Sequence, residues 1–530
     1  MNFIELFAGC GGLSLGLKSE GGNLLLANEL SPMAAETYAF NFFNENLQEP
    51  LLAQEQQITN TRWLSSRYGF DNFEARLREN PNNYPSIGDG ISEVTNVNPE
   101  DLRGSLIVGS IVELNNWLET RPQVVELLRT GFGENGLDVV SGGPPCQSFS
   151  MAGLRRQNCE KNTLPWEFAK FANMVRPRLV LLENVSGILR PFKDDLGNRY
   201  YAWYELAKAF AGIGYIPLCL HTNAKLAGVP QNRPRFIMIG VRDDVFQELN
   251  PTFNDAENQL FSDPFKFFEL IQAGQDVDVG DELMRYRDVT KAEDLELFHN
   301  SFLIPLVARN YPFVSVENAI DDLRNRPVER GEFSLSLDQE FRDVPLPTLG
   351  EIQNHELRRN SDLVRRRFRI YQVLSQVDGI AKKEVQEILK GTSNHLTERS
   401  WRLLADFDYL NEAGNFVRFD NIHEFVLFLK QHPTKKQTQK ALLIDQPAPA
   451  ALSIPDDACH YHHDELRTLT VREMARIQSF PDAFEFRSKV TTGGDQRQYE
   501  VPQYTQVGNA VPPLLAKALG QVLNNLLRRL

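Results

Sequence analysis

Cys146 stands in the stretch SGGPPCQSFS, behind two glycines and two prolines, in a chain with only five cysteines. A thiol is a useful nucleophile when it is held as a thiolate at a fixed place; a Pro-Pro run fixes the backbone and glycines let a ligand approach closely. The same stretch also suits an ordinary loop holding a small apolar residue. Further along, the apolar run LVLL ends in Glu183 and Asn184, and QNRPR carries Gln231, Arg233 and Arg235 at alternating positions. Alternation by two directs both arginines to one face of a strand. A buried glutamate beside two arginines also reads as a plain structural ion pair. Taken together, a thiol, a carboxyl group and guanidinium cations supply what addition to an electron-poor ring bearing a carbonyl requires.

These groups need a scaffold. NFIELFAGCGGLSLGLKSEG predicts a buried strand over residues 3–7, a turn at Gly9, Gly11 and Gly12, and a helix to about residue 18. LLLANEL then predicts a second strand ending in Glu29. A strand, a glycine turn opening a helix, and a carboxylate at the tip of the next strand form a nucleotide-binding half-fold, because the carboxylate can accept both ribose hydroxyls. The spacing G-x-G-G is not the dinucleotide fingerprint, so the ligand need not carry a pyrophosphate, and a Rossmann oxidoreductase is disfavoured. Residues 44–101 are polar and turn-rich and read as an insertion; SLIVGSIVEL, GLDVVSGGPP and RPRLVLLENV resume strands, and residues 215–242 read as a hairpin-like pair. LPWEFAKFANMVR and WYELAKAFAGIG between them are helical. The expected fold class is therefore α/β, a mostly parallel sheet with helices on both faces and functional residues at strand C-terminal ends.

The alternation fails from about residue 251 to 466, and a strongly helical texture returns at RTLTVREMARIQSFPDAFEF. No internal repeat and no run of about 18 apolar residues is evident, and MNFIELFAG carries no signal-like segment, so a soluble, cytoplasmic protein without membrane association is expected. The odd number of scattered cysteines fits neither a disulfide framework nor a zinc ribbon. A net charge of -14 does not exclude a polyanionic partner, because binding depends on where basic residues cluster. HELRRNSDLVRRRFR gathers Arg358, Arg359, Arg365, Arg366 and Arg367, and HPTKKQTQK holds Lys435 and Lys436; solvated surface is the alternative for both. In ACHYHH the histidine spacing matches no common zinc pattern, so no metal is expected and these read as loop histidines.

The ordered set FAGCGG, NEL, GGPPCQSFS, ENV, QNRPR, RTLTVREMARIQSFPDAF and GNAVPP resembles the C5-cytosine DNA methyltransferase family. The resemblance implies a Rossmann-like, S-adenosyl-L-methionine-dependent methyltransferase fold with a second, smaller α+β target-recognition domain. Residues 1–245 would form the catalytic domain, 246–466 the recognition domain, and 467–530 a segment completing the catalytic domain. It implies that Cys146 attacks C6 of a flipped-out cytosine, Glu183 holds N3, Arg233 bonds O2, Asn184 orients the neighbouring loop and Arg235 supports Glu183 or Cys146. Phe7, Gly9, Gly11, Gly12, Glu29, Leu30, Pro144, Asn509 and Ala510 would contact the cofactor, released as S-adenosyl-L-homocysteine. Where the family has an acidic residue for the adenine amino group this sequence offers Ser110, with Asp89 as the alternative. Ser148, Arg155, Arg156 and Gln231 would meet double-stranded DNA, with the two basic islands on its backbone. The implied activity is duplex cytosine methylation by a monomer, with restriction or phage-defence proteins as partners. A tRNA methyltransferase on the same motifs and a catalytically silent DNA-binding relative are the alternatives.

Overall fold

The computed structural model of the chain describes residues 1–48, 59–145, 163–193, 199–275, 277–279, 283–309, 312–324, 329–348, 350–434, 440–450, 453–454, 457–458 and 460–530. The buried apolar run at the start of the chain forms β1 (Asn2–Leu6). After the glycine turn come α1 (Gly12–Ser19), β2 (Asn23–Glu29) and α2 (Pro32–Phe43). Then follow β3 (Thr61–Trp63), β4 (Ser105–Val108), α3 (Ile111–Glu119), β5 (Val139–Gly142), α4 (Leu164–Val175) and β6 (Leu179–Val185). The next elements are α5 (Ala202–Gly212), β7 (Tyr215–Asn223), β8 (Pro234–Arg242), α6 (Asp255–Gln272) and β9 (Arg287–Asp288).

The nine strands make one sheet in the order β9-β7-β8-β6-β5-β1-β2-β4-β3. Only β8 runs against its neighbours, antiparallel to both β6 and β7, which is the hairpin-like pair expected over residues 215–242. The order reverses between β1 and β5, so the crevice for a ligand opens at their C-terminal ends, above Phe7 and Gly143. This is the α/β, Rossmann-like architecture.

Three boundaries differ from the sequence expectation. Residues 44–101 are not merely an insertion: β3 adds to the sheet edge in parallel with β4, and Trp63 is wholly buried. A three-residue strand is too short to show a period, and so it left no signal. Residues 255–307, expected beyond the catalytic unit, belong to the same hydrophobic core as the sheet; Leu260, Phe261, Phe298 and Phe302 pack there. Their helix α6 opens with a capping box at Asn254 and Glu257, and Arg529 clamps that glutamate through two 2.9 Å contacts. The long helical texture after residue 467 becomes a short α8 (Val471–Ile477), with α7 (Asp362–Leu374) preceding it in the chain. Ser479 then adopts φ 66°, a left-handed conformation that ends α8.

The chain closes with α9 (Gln503–Asn509) and α10 (Pro513–Leu527). Helix α10 lies against α1 at a separation that glycine permits. A Cβ on Gly16 would stand 2.4 Å from both the Ala516 Cβ and the Lys517 nitrogen, and one on Gly12 would stand 2.3 Å from the Val511 carbonyl oxygen. A second cluster, joining Cys10 and Leu15 to Ile320, Phe480 and Tyr504, continues the contact. A third surrounds Phe368, Tyr371, Phe425 and Tyr461 within residues 368–461, a mostly helical region with two-residue strand pairs.

Gly16→Ala should lower the urea midpoint, by about 1–3 kcal/mol of stability, since the overpacking against backbone outweighs the roughly 1 kcal/mol gain in helix propensity. Gly212→Ala, where an added Cβ meets nothing within 4 Å, should be neutral or stabilising. Equal midpoints for both variants would refute the close-packing account.

Candidate active site

The tips of β1, β2 and β4 converge on one opening. Phe7 turns the chain with φ 56°, a strained conformation for a bulky residue, and Gly9 follows at φ 57° with nothing within 4 Å of where its Cβ would be. The Glu29 carboxylate accepts from the Gly9 nitrogen at 2.8 Å through one oxygen and from the Ser31 nitrogen at 2.8 Å through the other. Burial raises its pKa, opposed by those amides. Asn28, which the sequence reading passed over, binds the carbonyls of Ile107 and Gly109 at 3.0 Å each and so fixes the β2 tip beside the β4 tip. Its signal was a polar residue closing an apolar strand just before Glu29.

The predicted cofactor residues divide by what they touch. Phe7, Gly9, Glu29 and Leu30 are at least partly exposed, as are Asn509 and Ala510 from the C-terminal return. Gly11 and Gly12 are instead buried by the chain itself: a Cβ on Gly11 would strike the Phe42 ring at 2.3 Å. Their missing side chains serve internal packing. Ser110 caps α3, its hydroxyl accepting from the Val112 nitrogen at 3.2 Å, which engages one lone pair of the group expected to face adenine. Asp89, the alternative, is exposed and takes the Ser86 hydroxyl at 2.6 Å. An open glycine turn, a two-oxygen acceptor at the next strand and a wall returning from residues 509–510 fit a nucleoside-bearing cofactor.

On the other side of the sheet reversal, Glu183 ends β6 at 8% exposure. In the antiparallel register Ile237 lies opposite Glu183 and Arg235 opposite Val185, so Arg235 reaches Glu183 diagonally on one face. The ion pair Arg235 Nε to Glu183 Oε1 measures 2.5 Å. A Cβ on Gly143 would stand 3.1 Å from Glu183 Oε2, so glycine lets the carboxylate lie against the loop that leads into Pro144 and Pro145. Asn184 donates to the buried Pro144 carbonyl at 3.0 Å and accepts from Val185 at 2.8 Å, which orients that loop. Arg233 does not pair with Glu183 as Arg235 does: its Nη2 donates to the carbonyls of Gly508 (2.9 Å) and Ala510 (3.1 Å). Its Nε is buried without a partner among the described residues, as are both side-chain heteroatoms of Gln231. Burial, then the neighbouring Arg235, lowers the Arg233 pKa, with Glu183 opposing. Cys146 lies outside the described residues, one position beyond Pro145; so do Ser148, Arg155 and Arg156.

The model of the family described as C-5 cytosine-specific DNA methylase matches residues 1–64 and 123–525. The chain belongs to this family. It is a DNA cytosine-5 methyltransferase. Among its relatives, the type II methyltransferase M.DdeI of Desulfomicrobium norvegicum is 27% identical over 522 residues, covering 98% of this chain and 88% of the relative. The type II methyltransferase M.AgeI of Thalassovita gelatinovora is 24% identical, covering 99% of each. Among solved structures, the Dnmt2 methyltransferase of S. pombe aligns over 100% of this chain and 98% of that one, at 13% identity and a TM-score of 0.37.

For this methyltransferase the expected DNA-facing residues fall in different settings. Gln231 is fully buried, and its backbone pairs with Ala448, so residues 230–232 meet the later region beside Arg233. Arg359 and Arg365 are exposed, Arg365 lying 3.6 Å from Asp362. Arg358 is half-buried. Arg366 and Arg367 are half-buried too: Arg366 donates to His432 Nε2 at 3.1 Å, and Arg367 to the Pro433 carbonyl. Helix α7 buries Phe368, Ile370 and Tyr371, so arginines flanking that apolar stripe are drawn onto the chain instead of into solvent. Lys435 and Lys436 lie outside the described residues. His462 lies in a loop, as expected, but it is buried there: its Nδ1 accepts from the Asp464 and Glu465 nitrogens, and burial, then Arg467, pushes its pKa down to about 2.

Glu5, beneath the β1 tip, also escaped the sequence reading, although a glutamate inside FIELF was its signal. It is 2% exposed and takes the Ser14 hydroxyl, itself 2.8 Å from the Tyr38 hydroxyl. Burial pushes its pKa up to about 8 against that hydrogen bond. A group whose folded pKa is raised stabilises fully below its unfolded value, near 4.5, and this contribution is lost as pH rises through about 8. Between pH 5 and 8.5 the thermal midpoint of the wild type should therefore fall more steeply than that of Glu5→Gln. Parallel midpoint curves would show that Glu5 does not hold its proton in the folded state.

Proposed function

We propose that this methyltransferase modifies C5 of a cytosine flipped out of a specific duplex DNA sequence, with S-adenosyl-L-methionine as donor. The observation that carries the catalytic reading is the Arg235–Glu183 pair set against Gly143 and the loop leading into Cys146. A base inside a helix cannot reach such a group, and extrusion costs a few kcal/mol that pocket contacts offset.

In the proposed chemistry the Cys146 thiolate adds to C6 while Glu183 holds a proton at N3, and electron density moves to C5, which becomes nucleophilic. Arg235 keeps the Glu183 carboxyl group in place. Arg233, tied to the C-terminal return through Nη2, has its buried Nε left to meet the O2 of the base. S-Adenosyl-L-methionine supplies the methyl group as an electrophile on a sulfonium and leaves as S-adenosyl-L-homocysteine. Loss of the C5 proton and of the C6–S bond then restores the aromatic ring and the thiolate. Phe7, Gly9, Glu29, Leu30, Ser110, Pro144, Asn509 and Ala510 would hold the donor.

We assign residues 1–307 and 467–530 to the catalytic unit and the intervening region to target recognition, with Arg359 and Arg365 as DNA-backbone contacts. Ser148, Arg155, Arg156, Lys435 and Lys436 are proposed to share that role. We further propose that it is a cytoplasmic, nucleoid-associated monomer that protects self DNA in a restriction-modification or phage-defence setting; the type II relatives support the restriction-modification part of this reading. No helix of the described residues is long and apolar enough to cross a membrane. The tRNA reading and the catalytically silent reading are not favoured.

Cys146→Ser should abolish methyl transfer to duplex DNA and keep DNA affinity within a few-fold, and a duplex with 5-fluorocytosine at the target should trap the wild type covalently, because fluorine at C5 blocks elimination. Label from methyl-tritiated S-adenosyl-L-methionine appearing only on RNA, or full activity of the serine variant, would overturn the assignment.

A further inference from the structure

The family match breaks off at residue 64 and resumes at 123, yet part of the intervening segment is built against the strand tips that form the cofactor crevice. The segment starts from Leu64, the last matched residue, whose nitrogen donates to the Val108 carbonyl at 2.9 Å and whose Cβ would stand 2.7 Å from a Cβ on Gly109, the residue preceding Ser110. From there the chain runs out and returns. Ser66 and Ile91 exchange backbone hydrogen bonds at 3.0 and 2.8 Å, and the Trp63 nitrogen donates to Glu93 at 2.7 Å. Arg76 is completely buried, its guanidinium 4.2 Å from the Trp63 ring centroid and 2.6 Å from Glu93. Glu79 accepts from the Ser66 hydroxyl at 2.6 Å and the Arg67 nitrogen at 3.1 Å. These paired charges and ring contacts tie the segment to β3 as a support.

What that support presents is Tyr84. Its hydroxyl donates to the Leu30 carbonyl at 3.4 Å, the residue directly after Glu29. Burial first, then the carboxylates of Glu79 and Glu29, push the phenol above its ordinary pKa, so it remains a donor throughout the working range. The Ser110 hydroxyl, by contrast, is already engaged as a helix cap.

We propose that Tyr84 is a positioning residue for the cofactor: from a segment outside the family match, its hydroxyl holds Leu30 so that the Glu29 carboxylate is set for the ribose hydroxyls. This rests on the reading of Glu29 as part of the cofactor pocket. The segment thereby does for the nucleoside end of the pocket, by holding β2 from outside, what the capping Ser110 leaves undone.

The test is calorimetric titration of the full-length protein, without DNA, by S-adenosyl-L-homocysteine. Tyr84→Phe, which removes only the hydroxyl, should weaken binding by about two- to threefold, below the roughly tenfold worth of a full hydrogen bond because this one is also present without ligand. Asn82→Ala, exposed on the turn just before Tyr84, should bind as the wild type does. In steady-state turnover Tyr84→Phe should raise KM for the methyl donor and leave KM for DNA and the thermal midpoint unchanged. Glu29→Ala separates the two levels. If it binds like the wild type, the pocket reading itself is wrong; if it loses binding while Tyr84→Phe retains full affinity, Tyr84 has no part in the pocket. Equal rises in both KM values would mark a merely structural role and overturn the proposal as well.

Discussion

Gly16 in the first helix of this chain lies against Ala516 and Lys517 of the last, and Gly12 against Val511 just before it, and the shape of the crevice depends on that contact. It brings Val511 over the glycine turn, and with it the carbonyls of Gly508 and Ala510 to within 3.1 Å of Arg233. One guanidinium, just before the strand that bears Arg235, thus reaches the end of α9, 275 residues away. The crevice at the sheet reversal is general to the fold; its closure by the C-terminal return is what makes it a pocket. Supporting contacts are distributed along the same seam: Thr37 donates to Gln506 at 2.6 Å, and Asn41 and Glu485 exchange hydrogen bonds at 2.7 and 2.9 Å.

Much of this is legible in the residues before any coordinates. β2 and β6 are continuous apolar runs ending in polar groups, a pattern that buried parallel strands impose, and the alternating arginines of QNRPR forecast the face on which Arg235 meets Glu183. What escapes is what has no local period. Trp63 sits in a three-residue strand that pairs with the edge of β4 and is otherwise held by side chains distant in sequence, Glu93 and Arg76. Residues 255–307 look like a different region because their helices cover the sheet beyond β7, away from the βαβ repeat, with no strand longer than two residues to announce the connection. The turn glycines show a related limit. Sequence marks Gly9, Gly11 and Gly12 alike, but only contact with Phe42 and Val511 shows that two of them make room for the chain's own atoms.

The arginines of α7 carry the same lesson to the surface. A run of like charge suggests a single electrostatic face, yet a helix turns about 100° per residue, so neighbours in sequence point to different surroundings. Arg365 is left in solvent, while Arg366 and Arg367 settle onto His432 and Pro433 beside the aromatic cluster of Phe368 and Tyr461. Part of the positive charge therefore secures the architecture of the later region, and the paired strands at Gln231 and Ala448 connect that architecture to the end of the sheet beside Arg233 and Arg235.

The joining of α1 to α10 also sets an order of events during synthesis. Strands β1, β2 and β4 are among the first segments made, but the pocket at their tips gains its last wall only when residues 508–511 have been translated. Because the contacts that close it span nearly the whole chain, their loop-closure entropy is met late in folding, after the local βα units have formed. A chain ended before residue 508 can hold much of the sheet and still lack the wall that residues 508–511 supply, so the pocket closes only once those residues are in place.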